Sequence, residues 1–138
     1  MPTNQKKKQL KPKKLFEIKI KTKRCLLRPA TAAEIGLEAS PKKNKLKLSA
    51  AKDWPTNEFK SGYPYVLEGL KEEKKSYNPW WMWWIFESSK NMRHSILIGF
   101  VGFKGAPNKY NEIEITYSIC PSYQGKQFAF EACEGIIQ

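Results

Sequence analysis

Three apolar segments follow one another at close spacing in the second half of the chain, at 80–86, 96–103 and 112–119. The third alternates cleanly. Ile113, Ile115, Tyr117 and Ile119 fall on one side and Glu114, Thr116 and Ser118 on the other, which is the period of a half-buried strand. The connection over 105–111 carries Gly, Pro and Asn, as a turn should. The pattern predicts an antiparallel meander around which the rest must pack. Trp80, Trp81, Trp83 and Trp84 put rings on both faces of its first strand. Core packing explains them, with the lining of a pocket as the alternative. Gly99, Gly102 and Gly105 lie within and just after the second strand and read as bulges or close strand packing.

The flanking elements follow from local signals. The stretch from Cys25 to Arg28 is a short strand stopped by Pro29. Thr31 with Glu34 three residues on is a capping-box arrangement and predicts a helix over 32–39, ended by Ser40 and Pro41. Residues 41–60 are rich in Lys, Asn and Pro and read as a loop. From Tyr65, the positions Val66, Leu67 and Leu70 predict a second helix ahead of the charged run 71–75. Pro121 breaks the third meander strand. A polar loop over 122–126 then leads into a helix with Phe128, Ala129, Ala132 and Ile136 on its apolar side. The order predicts an α/β (α+β) domain with a mostly antiparallel sheet of about four strands and flanking helices.

Charge divides the chain unevenly. The net charge is +12, yet residues 1–24 hold ten basic residues and one acidic residue. The block over 6–14 repels itself and has little to bury, so residues 1–21 are expected to form a disordered basic tail and residues 22–138 the folded domain. Such a tail is either a solubilising extension or a weak contact for a polyanion such as nucleic acid or the ribosome. Three cysteines (Cys25, Cys120, Cys133) and one histidine (His94) exclude a disulfide framework and a zinc finger, and no metal site is expected. Reduced thiols, no apolar run long enough to span a bilayer and no secretory signal point to the cytoplasm. His94 falls in a polar turn and is expected to be exposed.

The strand–loop–helix unit over 114–137 carries the chemistry. A loop that turns from a strand into a helix presents unpaired backbone N–H groups at the positive end of the helix dipole and favours a phosphate. Gly125 allows close approach and Lys126 adds charge. Of the carboxylates on the third meander strand, Glu112 and Glu114, Glu114 is the first candidate for a general base. Tyr117 and Tyr123 are candidates to protonate a leaving group, and packing is the plainer role for both. Cys120 has no base to activate it and reads as a small buried residue.

The run Ile115-Thr-Tyr-Ser-Ile-Cys-Pro-Ser-Tyr-Gln-Gly-Lys-Gln-Phe-Ala-Phe-Glu-Ala132 resembles the acetyl-coenzyme A signature of the GNAT acetyltransferase superfamily, most closely its ribosomal-protein alanine acetyltransferase branch. The family pattern Gln/Arg-x-x-Gly-x-Gly/Ala falls on Gln124, Gly125, Lys126, Gln127, Phe128 and Ala129. Arg24-Cys-Leu-Leu-Arg-Pro-Ala-Thr31 is similar to the family's opening strand and helix cap, and the meander is similar to its second, third and fourth strands. The resemblance implies an N-acetyltransferase moving an acetyl group from acetyl-coenzyme A to a primary amine of a protein N-terminus or small molecule. It implies that residues 124–129 hold the diphosphate and that a backbone N–H near Ile119, with Cys120 adjoining, polarises the thioester carbonyl. Gln127 stands where the family pattern has Gly. The family's C-terminal strands and last helix have no counterpart here, so the chain is expected to be a partial GNAT fold. Its fourth-strand edge is then open to a second copy or a separate fragment. The alternative is a weak or inactive GNAT-like protein that binds coenzyme A or a partner chain and has a polyanion-binding tail.

Overall fold

The computed structural model describes residues 18–42, 46–88 and 95–137. Residues 1–17 of the expected tail, and His94 in its expected turn, lie outside the described residues. The element order is β1 (Ile20–Lys21), β2 (Cys25–Pro29), α1 (Ala32–Ala39), α2 (Asn57–Glu73), β3 (Met82–Ser88), β4 (Ser95–Phe103), β5 (Ile115–Ile119), a 3₁₀ turn (Pro121–Tyr123) and α3 (Phe128–Ile137). The five strands form one sheet in chain order, every neighbour antiparallel.

The four expected strands are present, and β1 is a fifth. It lies inside the stretch 1–21 that charge alone assigns to the tail. Ile18 and Ile20 pack against the core while Lys19 and Lys21 face out, a two-residue alternation hidden by the surrounding lysines. Ile20 sits opposite Leu27.

Each sheet face buries its own cluster. One face carries Met82, Trp84, Phe86, Leu97 and Phe100 and is covered by Ile35 of α1 and Phe59 and Leu70 of α2. The other carries Leu27, Trp83, Ile85, Ile98, Val101 and Ile119 and is covered by Phe128 and Ala132 of α3. The tryptophan run thus serves both faces, as strand period requires. Leu97 and Phe100, three apart, share a face because the β3–β4 register slips between Ile85 and Phe86, leaving Ile98 as the extra residue of a bulge. Gly99 and Gly102 are sites of close strand approach: a Cβ would stand 2.1 Å from Ser118 O and 1.8 Å from Trp81 O respectively.

The capping box forms as expected. Thr31 Oγ1 accepts from Glu34 N at 3.1 Å, and Glu34 returns a carboxylate oxygen to Thr31 N at 3.2 Å. Three expectations change. The stretch 41–60 is not all loop. α2 begins at Asn57, eight residues before Tyr65, with Thr56 capping Phe59 N at 3.1 Å, and it runs through Gly62 and Pro64. The strand expected at 112–119 starts only at Ile115. Asn108 closes a turn by accepting from Tyr110 N and Glu112 N, while its own N–H donates to Glu112 O, and this pulls Glu112 off the ladder. The strand expected at 80–86 is displaced to Met82–Ser88, since the Asn78 side chain takes Trp80 N into a turn.

Candidate functional site

The turn from β5 into α3 is held from three sides. Asp53 accepts from both the N–H and the hydroxyl of Ser122, at 2.7 and 2.8 Å, and these bonds hold its carboxyl below the usual aspartate range. The Gln124 side-chain amide donates back to Ile119 O at 2.9 Å. Arg24, in the β1–β2 connection, donates to Lys126 O at 2.9 Å, pairs with Glu131 at 2.8 Å and lies 4.0 Å over the Phe128 ring. Burial pushes the Glu131 carboxyl up, but hydrogen bonds from Thr22, Arg24 N and the Arg24 guanidinium outweigh it and hold the group low. These ties fix the loop's path without using the N–H groups of 125–127.

Those donors remain available. The N–H groups of Gly125, Lys126 and Gln127 donate to no protein acceptor among the described residues. Gly125 has φ +80°, and a Cβ there would meet nothing within 4 Å. Gln127 adopts φ 67°, so the position that carries Gly in the resembled pattern keeps the left-handed backbone here with a side chain present. The loop borders a cavity of about 460 Å³ with Tyr117, Ser118, Ile119 and Tyr123 on its other walls.

The β4–β5 ladder decides where the N–H of Ile119 points. Cys120 N donates to Ile98 O at 2.8 Å, and Lys104 N donates to Glu114 O at 3.1 Å at the other end. In an antiparallel pair this pattern makes Gly99–Ile119 a non-hydrogen-bonded pair, so the N–H groups of Tyr117 and Ile119 face the outer edge of β5. Among the described residues no strand covers that edge.

The expected site residues divide accordingly. Tyr117, Ile119, Gln124, Gly125, Gln127, Phe128 and Ala129 all line the loop cavity. Tyr117 is exposed at its rim, whereas Phe128 is buried and serves the core. Lys126 is exposed beside the loop, its ammonium 5.7 Å from the Tyr123 ring centroid. Cys120 is fully buried, its N–H is spent on β4, and burial with Asp53 nearby pushes its thiol up to about 12. Glu114 is placed elsewhere. It pairs with Lys104 at 3.0 Å, stands on the turn before β5 and lines a separate shallow cleft with Asn108 and Glu112.

The carboxylate that does reach this cavity is Glu58, in the first turn of α2. Buried Ser118 donates its hydroxyl to Glu58 Oε1 at 2.7 Å across the sheet face. Glu58 also lines a second cavity, of about 550 Å³, between α2 and strands β3 to β5. Reading 41–60 as a loop hid this residue. The signal that finds it is Thr56, an N-cap three residues before Phe59.

Among the described residues no group of His, Cys, Asp and Glu could hold a metal ion, and no helix is long and apolar enough to cross a membrane. Residues 24–138 match the family described as the acetyltransferase (GNAT) domain. No curated protein matches the chain.

Proposed function

The chain belongs to the GNAT acetyltransferase family, and we propose that it moves an acetyl group from acetyl-coenzyme A to a primary amine, with the β5–α3 loop as the cofactor cradle. The family implies acetyl-coenzyme A as the donor. The single observation that carries the reading is a set of unspent backbone donors in the turn that borders the loop cavity. Three free backbone N–H groups at 125–127 adjoin a strand whose Ile119 N–H faces outward. That set fits a diphosphate joined to a carbonyl compound, since the first asks for clustered N–H groups at a helix start and the second for one donor at an extended edge.

In this reading the cofactor supplies an activated acetyl thioester. The protein supplies position. The N–H groups of Gly125, Lys126 and Gln127 hold the diphosphate, with Lys126 adding charge. Phe128 and Ala129 seat the helix start, and Gln124 braces the end of β5 by bonding Ile119 O. The Ile119 N–H donates to the carbonyl oxygen as negative charge develops on it. Tyr117, exposed and lining the same cavity, is the group proposed to protonate the departing thiolate. The open edge of β5 is thereby assigned to ligand rather than to strand pairing with a second copy. Gln124, Gly125 and the Glu131–Ala132 start of the helix support kinship with the ribosomal-protein alanine acetyltransferase branch.

Calorimetry with acetyl-coenzyme A, followed by thiol release over a panel of primary amines, tests the proposal. Saturable heat, thermal stabilisation and amine-dependent thiol release are expected. No heat and no stabilisation at millimolar acetyl-coenzyme A would remove the cradle. Binding without release over the whole panel would reduce the chain to a coenzyme A binder.

A further inference from the structure

The second cavity is built differently from the first, and its walls specify what it takes. Its volume of about 550 Å³ falls within the roughly 300–1,000 Å³ typical of small-molecule sites. Tyr65 and Val66 of α2, Trp81 and Met82 at the start of β3, and Phe100 and Phe103 of β4 make an apolar, aromatic surface. Tyr65 and Trp81 meet edge to face with ring centroids 5.5 Å apart. Charge enters at two points. Lys104 is already paired with Glu114 at 3.0 Å. Glu58 has no ion pair among the described residues, and its Oε2 takes no hydrogen bond from them. Ser118 fixes its Oε1 at 2.7 Å, so the group is oriented as well as negative. Glu58 also stands where the two cavities meet, since it lines both.

We infer that this cavity takes a small primary amine carried on an apolar body, with its ammonium held by Glu58 at the junction with the loop cavity. The inference deepens the acetyl-transfer reading and rests on it, because that junction brings the nitrogen to the wall where the thioester carbonyl would lie. A primary alkylamine is cationic at neutral pH, near the ordinary lysine value. An unpaired carboxylate answers that charge, and the aromatic wall answers the body behind it. A polyamine would leave the wall unfilled. A neutral apolar compound would cover Glu58 without compensating its lost water.

Binding of phenethylamine without acetyl-coenzyme A is the test, read by calorimetry and by the change in tryptophan fluorescence, to which Trp81 in the wall contributes. Phenethyl alcohol and putrescine are the two controls, one lacking the charge and the other the apolar body. Saturable phenethylamine binding is expected, with both controls weaker by about tenfold or more. Glu58→Gln should weaken phenethylamine by a similar factor. Gly62→Leu blocks the cavity by a different route, because Gly62 lines it and a Cβ there meets nothing within 4 Å. That substitution favours the helix and should abolish amine binding while the fold persists. Acetyl-coenzyme A binding is measured on the same samples and should be unchanged in Gly62→Leu, because Gly62 lines the aromatic cavity and not the loop cavity. Phenethylamine affinity unaffected by Glu58→Gln, putrescine binding as tightly as phenethylamine, or no amine binding beside intact acetyl-coenzyme A binding would each overturn this inference alone. Amine binding with no acetyl-coenzyme A binding would instead overturn the transferase reading.

Discussion

The two cavities share β5 and Glu58, yet they are made of different material. Apart from Glu58, the loop cavity is lined from one short stretch, 117–129, and the groups proposed to hold its ligand are backbone N–H donors that any sequence with the right turn would supply. The aromatic cavity is lined by side chains drawn from α2, β3, β4 and β5, which meet only when the sheet and α2 are packed. A main-chain site depends on local backbone geometry. A side-chain site depends on the whole core. Substitutions should therefore separate the two, and the largest effects belong to the second.

Phe59 is the strongest case. It is fully buried at the centre of a ring cluster, with Trp54 at 4.9 Å, Tyr63 at 5.5 Å, Trp84 at 5.9 Å and Phe100 at 6.3 Å between centroids. Phe59→Ala removes the anchor that seats the first turn of α2, and with it Glu58. A loss of about 3–5 kcal/mol is expected in urea unfolding. In the folded fraction, amine binding should fall further than acetyl-coenzyme A binding. Equal loss of both would break the distinction between the cavities.

The same distinction explains what could be read from residues alone. Thr31 and Glu34 announce α1, Pro121 and Gly125 announce the turn, and Phe128, Ala132 and Ile136 announce α3, because each signal acts within a few residues of itself. The loop cavity inherits that legibility. Glu58 does not. Gly62 and Pro64 interrupt the helical pattern and the lysines around 42–47 suggest an open loop, so the start of α2 is visible only through Thr56, whose capping role is hard to separate from an ordinary turn threonine. Its packing on Trp84 and Phe100, far along the chain, overrides the weak local preference. β1 is obscured for the opposite reason, since Ile20 and the neighbouring Ile18 lie among charges that dominate any composition count. Glu114 looks like a strand carboxylate by alternation, yet the turn built by Asn108 ends before β5 begins and leaves it paired to Lys104.

On the main-chain side, Arg24 joins the loop to the β1–β2 connection through Lys126 O and Glu131. Arg24→Ala should cost about 1–2 kcal/mol, kept modest because the guanidinium is partly exposed to water. Acetyl-coenzyme A affinity should fall with it, while phenethylamine affinity should hold. Gln127→Gly acts in the other direction. A left-handed backbone at φ 67° costs a residue with a Cβ about 1 kcal/mol, so glycine should raise the unfolding free energy by that order and move the urea midpoint up with it. It also clears a side chain from the cavity wall and should tighten acetyl-coenzyme A binding. A lowered midpoint would mean that the Gln127 side chain contributes to the fold through contacts worth more than the backbone strain.

The smallest effect is a pH dependence confined to the loop. Asp53 holds the Pro121–Tyr123 turn through two bonds from Ser122, and those bonds place its folded value below the ordinary one. A lowered folded value means that the unfolded chain takes up the proton more readily. The contribution is therefore complete above the unfolded value, about 3.9, and is lost as the pH falls through the folded value. Glu131 has the same sign, so acid should loosen both ties of the loop together. Hydrogen exchange of the bonded amides at 122–124 should accelerate, after correction for intrinsic rates, as the pH drops below about 4. Asp53→Asn keeps an acceptor for one of the two bonds but cannot titrate, so it should flatten its share of that dependence and leave the residue from Glu131. Because Asp53 is reached by solvent, salt and water share its charge, and global stability should barely register the change. An Asp53→Asn protein whose amide exchange still follows the full wild-type pH curve would assign the loop's acid sensitivity to the Arg24–Glu131 tie alone.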